Sequence, residues 1–141
     1  NAHHNPTQLR TLAEAVVAEH SAGRVLIDGP EIDLSAKCTL ALTLAFHELA
    51  TNAFKYGALS NDTGIVSLTW KLNEDADRPT LDLTWKETGG PEVFQPTRRG
   101  FGSRMIDKAL SSYLGGTSRI DFDRDGLVFS LSAPVANLIE N

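Results

Sequence analysis

Three polar side chains share one edge of an apolar helical stretch, "HELATNAFKYGAL" at residues 47–59: Glu48, Asn52 and Lys55. At about 100° per residue, Leu42, Phe46, Leu49 and Ala53 fall on one arc, which is the core face. The three polar residues fall on the neighbouring arc, about a turn apart. Spacing alone fits a solvated ladder of charges and an amide. Two features point toward chemistry instead. Asn is a poor mid-helix residue because its side chain competes for backbone hydrogen bonds, and this polar edge borders the apolar arc rather than opposing it. The His47-Glu48 pair opens like a zinc-protease helix, but that motif needs a second imidazole where Thr51 stands. A carboxylate and an amide oxygen suit a hard cation better, Mg²⁺ held jointly with substrate phosphates.

The elements that must position these groups follow from periodicity. Residues 7–20 carry apolar side chains at helical spacing and stop at Gly23. "RVLIDGP" reads as a short strand ending in a turn. Ser35 is placed to cap a helix over residues 36–56, ended by Gly57. "GIVSLTWKLNE" and "TLDLTWKE" alternate and form a long hairpin around the turn "EDADRP". Residues 88–102, "TGGPEVFQPTRRGFG", form a Gly/Pro-rich loop of the length that usually carries function. "SRMIDKALSSYLGG" is a helix with a glycine stop, and the segment after it is a hairpin turning at "DRDG". Helices mixed with antiparallel strands predict an α+β two-layer sandwich.

Order and spacing of three motifs carry a resemblance across about residues 9–134. "HELATNAFKYGAL" resembles the N box of histidine-kinase ATPase domains in the version of the HWE family. That family is marked by a His in this box and a Trp-x-Glu downstream, here His47, Trp85 and Glu87. "RRGFGSRMI" is similar to the family's next glycine box. The resemblance implies the GHKL (Bergerat-type) ATP-binding sandwich, a mixed, mostly antiparallel sheet with helices on one face. It implies that Asn52 binds Mg²⁺ with the ATP phosphates. Glu48 then orients a water on the metal or assists proton removal, Lys55 sits near phosphate oxygens as a point charge, and Tyr56 flanks the nucleotide. Glu87 stands where most histidine kinases have an Asp that accepts the adenine amino proton, with Gly89 and Gly90 behind it to let backbone approach a flat base. The alternative for Glu87 is an exposed residue ending a strand. Trp85 is expected in the core rather than stacked on a base, and Cys38 in the core as a small residue.

Residues 89–102 correspond to the family's ATP lid. Gly100, Phe101, Gly102 and Ser103 then meet phosphates at a helix N-terminus. Arg98 and Arg99 either reach the triphosphate or are solvated lid charges, two readings of equal standing. Leu127 stands near the position where many relatives use a phosphate-binding Thr. His47 points away from Glu48 around the helix, so a catalytic and a structural role both stay open.

The chain has 141 residues, 41% of them hydrophobic, which suits one domain with one core. Residues 7–136 are taken as that domain, with 1–6 and 137–141 as flexible ends. A net charge of −5 argues against a nucleic-acid partner. A single cysteine, with no signal-peptide or membrane-spanning pattern, predicts a cytoplasmic domain without membrane contact. No phosphoacceptor segment with His followed by Arg, Lys and Asn is present. The resemblance therefore implies the catalytic part of a bacterial two-component sensor histidine kinase, inactive alone. It would pass the ATP γ-phosphoryl to a histidine on a phosphoacceptor and dimerisation hairpin, which serves a response regulator in a dimeric parent. The alternatives are an anti-sigma-factor serine kinase or other GHKL ATPase, and a regulatory pseudokinase that only binds nucleotide.

Overall fold

Period-two alternation makes "TLDLTWKET" the strand around which the sheet is built. In the computed structural model, which describes residues 7–18, 23–74, 77–92 and 101–139, this strand is β5 (Thr80–Thr88). Its odd-numbered side chains Leu81, Leu83, Trp85 and Glu87 are buried, while Asp82, Thr84 and Lys86 face outward. A charged group thus closes an otherwise apolar inward row.

The chain order places β1 (Thr7–Gln8), α1 (Leu9–Val17), β2 (Val25–Asp28), β3 (Asp33–Leu34) and α2 (Ala36–Lys55) before β4 (Ile65–Asn73) and β5. α3 (Phe101–Leu114), β6 (Thr117–Asp123), β7 (Gly126–Pro134) and α4 (Val135–Leu138) follow. Five strands form one sheet in the order β2-β4-β5-β7-β6, in which only β2 and β4 are parallel. The fold is therefore the α+β sandwich expected, with a mixed, mostly antiparallel sheet. α2 lies between α1 and α3 and lays Leu42, Phe46, Leu49 and Ala53 into the core, together with Trp85 and Phe129 from the sheet.

Local chemistry accounts for the boundaries. Ser35 caps α2, its hydroxyl accepting from the Cys38 N–H at 3.2 Å. α2 ends at Lys55 with Tyr56 as C-cap, one residue before the expected end. The first helix is shorter than its periodicity implies. Thr7 and Gln8 are extended and pair with Asp33 and Leu34, and the Leu9 N–H goes to the Ile32 carbonyl at 2.9 Å, so a strand-like bond takes the place of a first helical turn. His20 lies outside the described residues. Thr88 belongs to β5, and α3 already begins at Phe101, so the expected loop is shorter at both ends.

The expectation of a flexible end from residue 137 fails at Asn137 and Leu138. Leu138 is fully buried, its carbonyl accepts the Ser35 N–H at 2.7 Å, and the Asn137 amide donates to the Leu114 carbonyl at 3.1 Å. Cys38 is buried, as expected, and its thiol lies 3.2 Å from the Asn137 carbonyl.

Phe46 is fully buried where α2 meets the sheet. Phe46→Ala should lower the unfolding free energy by about 3–5 kcal/mol, read from urea denaturation. A loss under about 1 kcal/mol would mean that α2 is not the central core helix.

Candidate functional site

Glu87 is only 4% exposed, so its carboxylate must find donors within the protein. It finds two. The Ala58 N–H donates to Oε1 at 3.0 Å, and the Trp85 indole N–H donates to Oε2 at 2.9 Å. The second bond follows from the strand itself, since residues two apart share a face. Each oxygen keeps acceptor capacity beyond these bonds. Burial pushes the carboxyl pKa above its usual 4.5, and the bonds from Ala58 and then Trp85 pull partly against that rise.

Backbone packs tightly around this carboxylate. A Cβ on Gly57 would overlap Glu87 Oε1, and one on Gly126 would overlap the Glu87 carbonyl. Gly89 has φ of 74°, a conformation that favours glycine. Its carbonyl accepts from the Asn61 amide at 3.2 Å and the Thr63 hydroxyl at 2.9 Å. A Cβ on Gly90 would lie 2.6 Å from Ala58 Cα. The close approach at Gly89 and Gly90 is thus to the 57–64 loop of the chain itself.

The polar edge of α2 faces the same end of the fold. Cys38 and Asn52 are two heptads apart and share an edge of the helix. Cys38 Sγ lies 3.6 Å from the Tyr113 carbonyl, so the start of α2 meets the end of α3. α3 opens at Phe101, and the free N–H groups of a helix N-terminus favour anions.

Of the expected residues, Glu48 and Asn52 are half-buried on this edge, and Lys55 and Tyr56 are exposed at its end, Tyr56 by 73%. Trp85 is in the core, and Glu87 is not the exposed strand end that was its alternative. His47 is exposed on α2, away from the core. Leu127 packs against the core from β7. Phe101, Gly102 and Ser103 form the first turn of α3, with side chains outside the described set, and Arg98, Arg99 and Gly100 lie outside the described residues. Sequence reading did not single out Ala58, Asn61 or Thr63. The cluster "SNDTG" at residues 60–64 is a turn signal that could have marked the loop. A shallow depression on the outward sheet face holds Asp82, Thr84, Arg119, Ser130 and Ser132 but none of these groups. Its carboxylate, Asp82, is already bonded by the Thr80 and Ser132 hydroxyls.

No family model matches the chain. It is 44% identical over 114 residues to a blue-light-activated histidine kinase of Brucella ovis, an overlap of 81% of this chain and 23% of that protein. The chain thus spans about a quarter of the length of such relatives. Among solved structures, the histidine kinase domain of a blue-light-activated histidine kinase from Erythrobacter litoralis matches with a TM-score of 0.66 at 18% identity, over 88% of this chain and 58% of that one. The histidine kinase ThkA, solved in complex with the response regulator TrrA, matches with a TM-score of 0.62 at 13% identity, over 94% of this chain and 42% of that one. At these identities the structural matches establish the fold.

Glu87 also sets a pH dependence of stability. Its folded pKa lies above the unfolded value, so its contribution is fully present below about pH 4.5 and is lost as pH rises through the folded value. Trp85→Phe removes a donor to the ionised form and raises that pKa further. At neutral pH the variant should lose roughly 1–3 kcal/mol beyond the ring's packing, and this excess should shrink toward pH 5. Urea titrations at both pH values measure it. An identical deficit at both would show that the indole N–H does not support the carboxylate.

Proposed function

We propose, from the premise that this chain belongs to the ATP-binding catalytic domains of HWE-type histidine kinases, that it binds Mg²⁺-ATP and presents the γ-phosphoryl to a histidine on another domain. The observation that carries this reading is the buried, doubly bonded Glu87 carboxylate at the strand end, held by Trp85 and by the N–H of Ala58 just beyond α2. A fixed acceptor suits the exocyclic amino group of adenine. Guanine presents a carbonyl there, and acceptor would meet acceptor.

The α2 edge takes the phosphates. Among the described residues no group of three or more His, Cys, Asp or Glu is placed to hold a metal. A cation held here draws its other ligands from phosphates and water, which fits Mg²⁺ and the amide oxygen of Asn52. Bound Mg²⁺ supplies charge neutralisation on the phosphate oxygens. Glu48, about one turn before Asn52, orients a water or accepts a proton. Lys55 lends a mobile positive charge at the exposed end of the helix. Gly100, Phe101, Gly102 and Ser103 present main-chain N–H groups to the phosphates, with Arg98 and Arg99 on the lid beside them, and Tyr56 flanks the nucleotide. Catalysis is then positioning and charge neutralisation.

The partners in this reading are a helical phosphoacceptor hairpin of a dimeric parent and a response regulator. No helix among the described residues is long and apolar enough to cross a membrane; the reading places the domain in the cytoplasm. The catalytic unit in this reading runs from residue 7 through Leu138, whose side chain is part of the core.

Asn52→Ala should abolish Mg²⁺-dependent ATP binding and leave the fold intact, because Asn52 is outside the core. Calorimetry with Mg²⁺ decides this, and unchanged affinity would remove Asn52 from the site. Glu87→Gln turns one of two acceptors into a donor and should weaken ATP by roughly 1–3 kcal/mol. Equal affinity of the unmutated domain for ATP and GTP would contradict adenine reading.

The isolated chain should bind ATP without labelling itself. Adding the parent's helical hairpin in trans should yield weak, concentration-dependent labelling that is acid-labile and base-stable, as a phosphoramidate is. Acid-stable label on this chain, at Ser or Thr, would favour a serine kinase instead.

A further inference from the structure

Arg24, the residue just before β2, has no part in the motifs above. Its guanidinium donates to three main-chain carbonyls: Nε to Gly64 at 2.9 Å, and Nη2 to Ala58 at 3.0 Å and Asn61 at 2.5 Å. Its own carbonyl accepts the Val66 N–H at 2.9 Å, which ties Arg24 to the start of β4. The bonds are part-buried, where a guanidinium fork with fixed geometry loses little freedom per bond.

The three acceptors belong to one loop. Residues 58–64 leave α2 and return to β4 with their ends touching, since a Cβ on Gly64 would overlap the Ala58 carbonyl. This is the geometry of a small Ω-loop. Arg24 bonds to both ends and to the middle. The Asn61 side-chain oxygen accepts the Thr63 and Gly64 N–H groups at 3.2 and 2.9 Å, which holds the tip. Ala58 and Leu59 are buried beneath it.

The same loop supplies three of the bonds that shape the candidate site. The Ala58 N–H meets Glu87 Oε1, and the Asn61 and Thr63 side chains meet the Gly89 carbonyl. The carbonyl of Ala58 is held by Arg24 while the N–H of Ala58 holds Glu87. We infer that Arg24 is a positioning residue for nucleobase recognition, clamping the 58–64 loop so that Glu87 and the turn at Gly89 and Gly90 are set before nucleotide arrives. This inference rests on the proposed adenine role of Glu87. Arg24 touches no nucleotide. It acts through Ala58, and preorganisation of an acceptor is the quantity it controls.

The test compares the unmutated chain with Arg24→Met, which keeps much of the apolar stem, and Arg24→Lys, which keeps the charge but not the fork. Two readouts are taken: the ratio of ATP to GTP affinity by calorimetry, and hydrogen exchange of the Ala58 amide without nucleotide. Arg24→Met should weaken ATP about fivefold to tenfold, the scale of one hydrogen bond, with GTP unchanged, so that the ratio falls and Ala58 exchanges faster. Arg24→Lys should recover part of both. Should Arg24→Met fail to fold, Asn61→Ala, at a half-buried loop position, takes its place and should move both readouts the same way. A folded variant with an unaltered ATP:GTP ratio and unaltered Ala58 protection would overturn the inference. Faster Ala58 exchange in a chain that never discriminated ATP from GTP would instead place the failure in the adenine role of Glu87.

Discussion

A carboxylate buried against an indole is the constraint on which the rest of this site depends. Glu87 stands at the end of an apolar strand face, and leaving it there without donors would cost several kcal/mol. The fold meets that demand from two directions. Trp85 answers from the same strand, two residues back, and Ala58 answers from the loop that leaves α2. The glycines at 57 and 126 then follow as spatial necessities, because a side chain at either position would occupy space taken by Glu87. The pairing also gives the Trp-x-Glu spacing a physical meaning: the ring fills the core while its one polar atom fixes the carboxylate.

Much of this was legible in the sequence because it is written in local periodicity. The α2 core face, the two alternating strands of the central hairpin, the Ser35 cap and the terminal hairpin all rest on patterns within a few residues. The motif singled out Glu87, but its burial and its two protein donors, Trp85 and Ala58, emerge only from the fold. What stayed hidden depends on contacts distant along the chain. Thr7 pairs with Leu34, 27 positions away, and Gln8 with Asp33, 25 positions away, rather than starting a helix, because their partners lie past β2. Leu138 is buried against the cap of α2, which no pattern near residue 138 announces. Arg24 looks like an ordinary polar residue before a strand. Its role exists only once residues 58–64 have folded into its reach.

These contacts also divide the site into a rigid part and an adaptable part. The Glu87 end is braced by main-chain bonds and backbone packing, which suits the reading of a flat base by a fixed acceptor. At the α2 edge, Lys55 and Tyr56 are exposed at the C-terminal end of the helix. In the proposed function, the braced end would read the base and the looser end would meet the phosphates.

The central claim is that Glu87 acts as an ionised acceptor for adenine. The most direct measurement is the titration of its side-chain carboxyl carbon by NMR, in the free domain and with saturating ADP or GDP. If adenine donates to this carboxylate, binding favours the charged form, and the raised pKa of the free domain must fall when ADP binds. GDP should leave it where it was. A pKa that stays unchanged or rises with ADP, or that falls equally with GDP, would contradict the account.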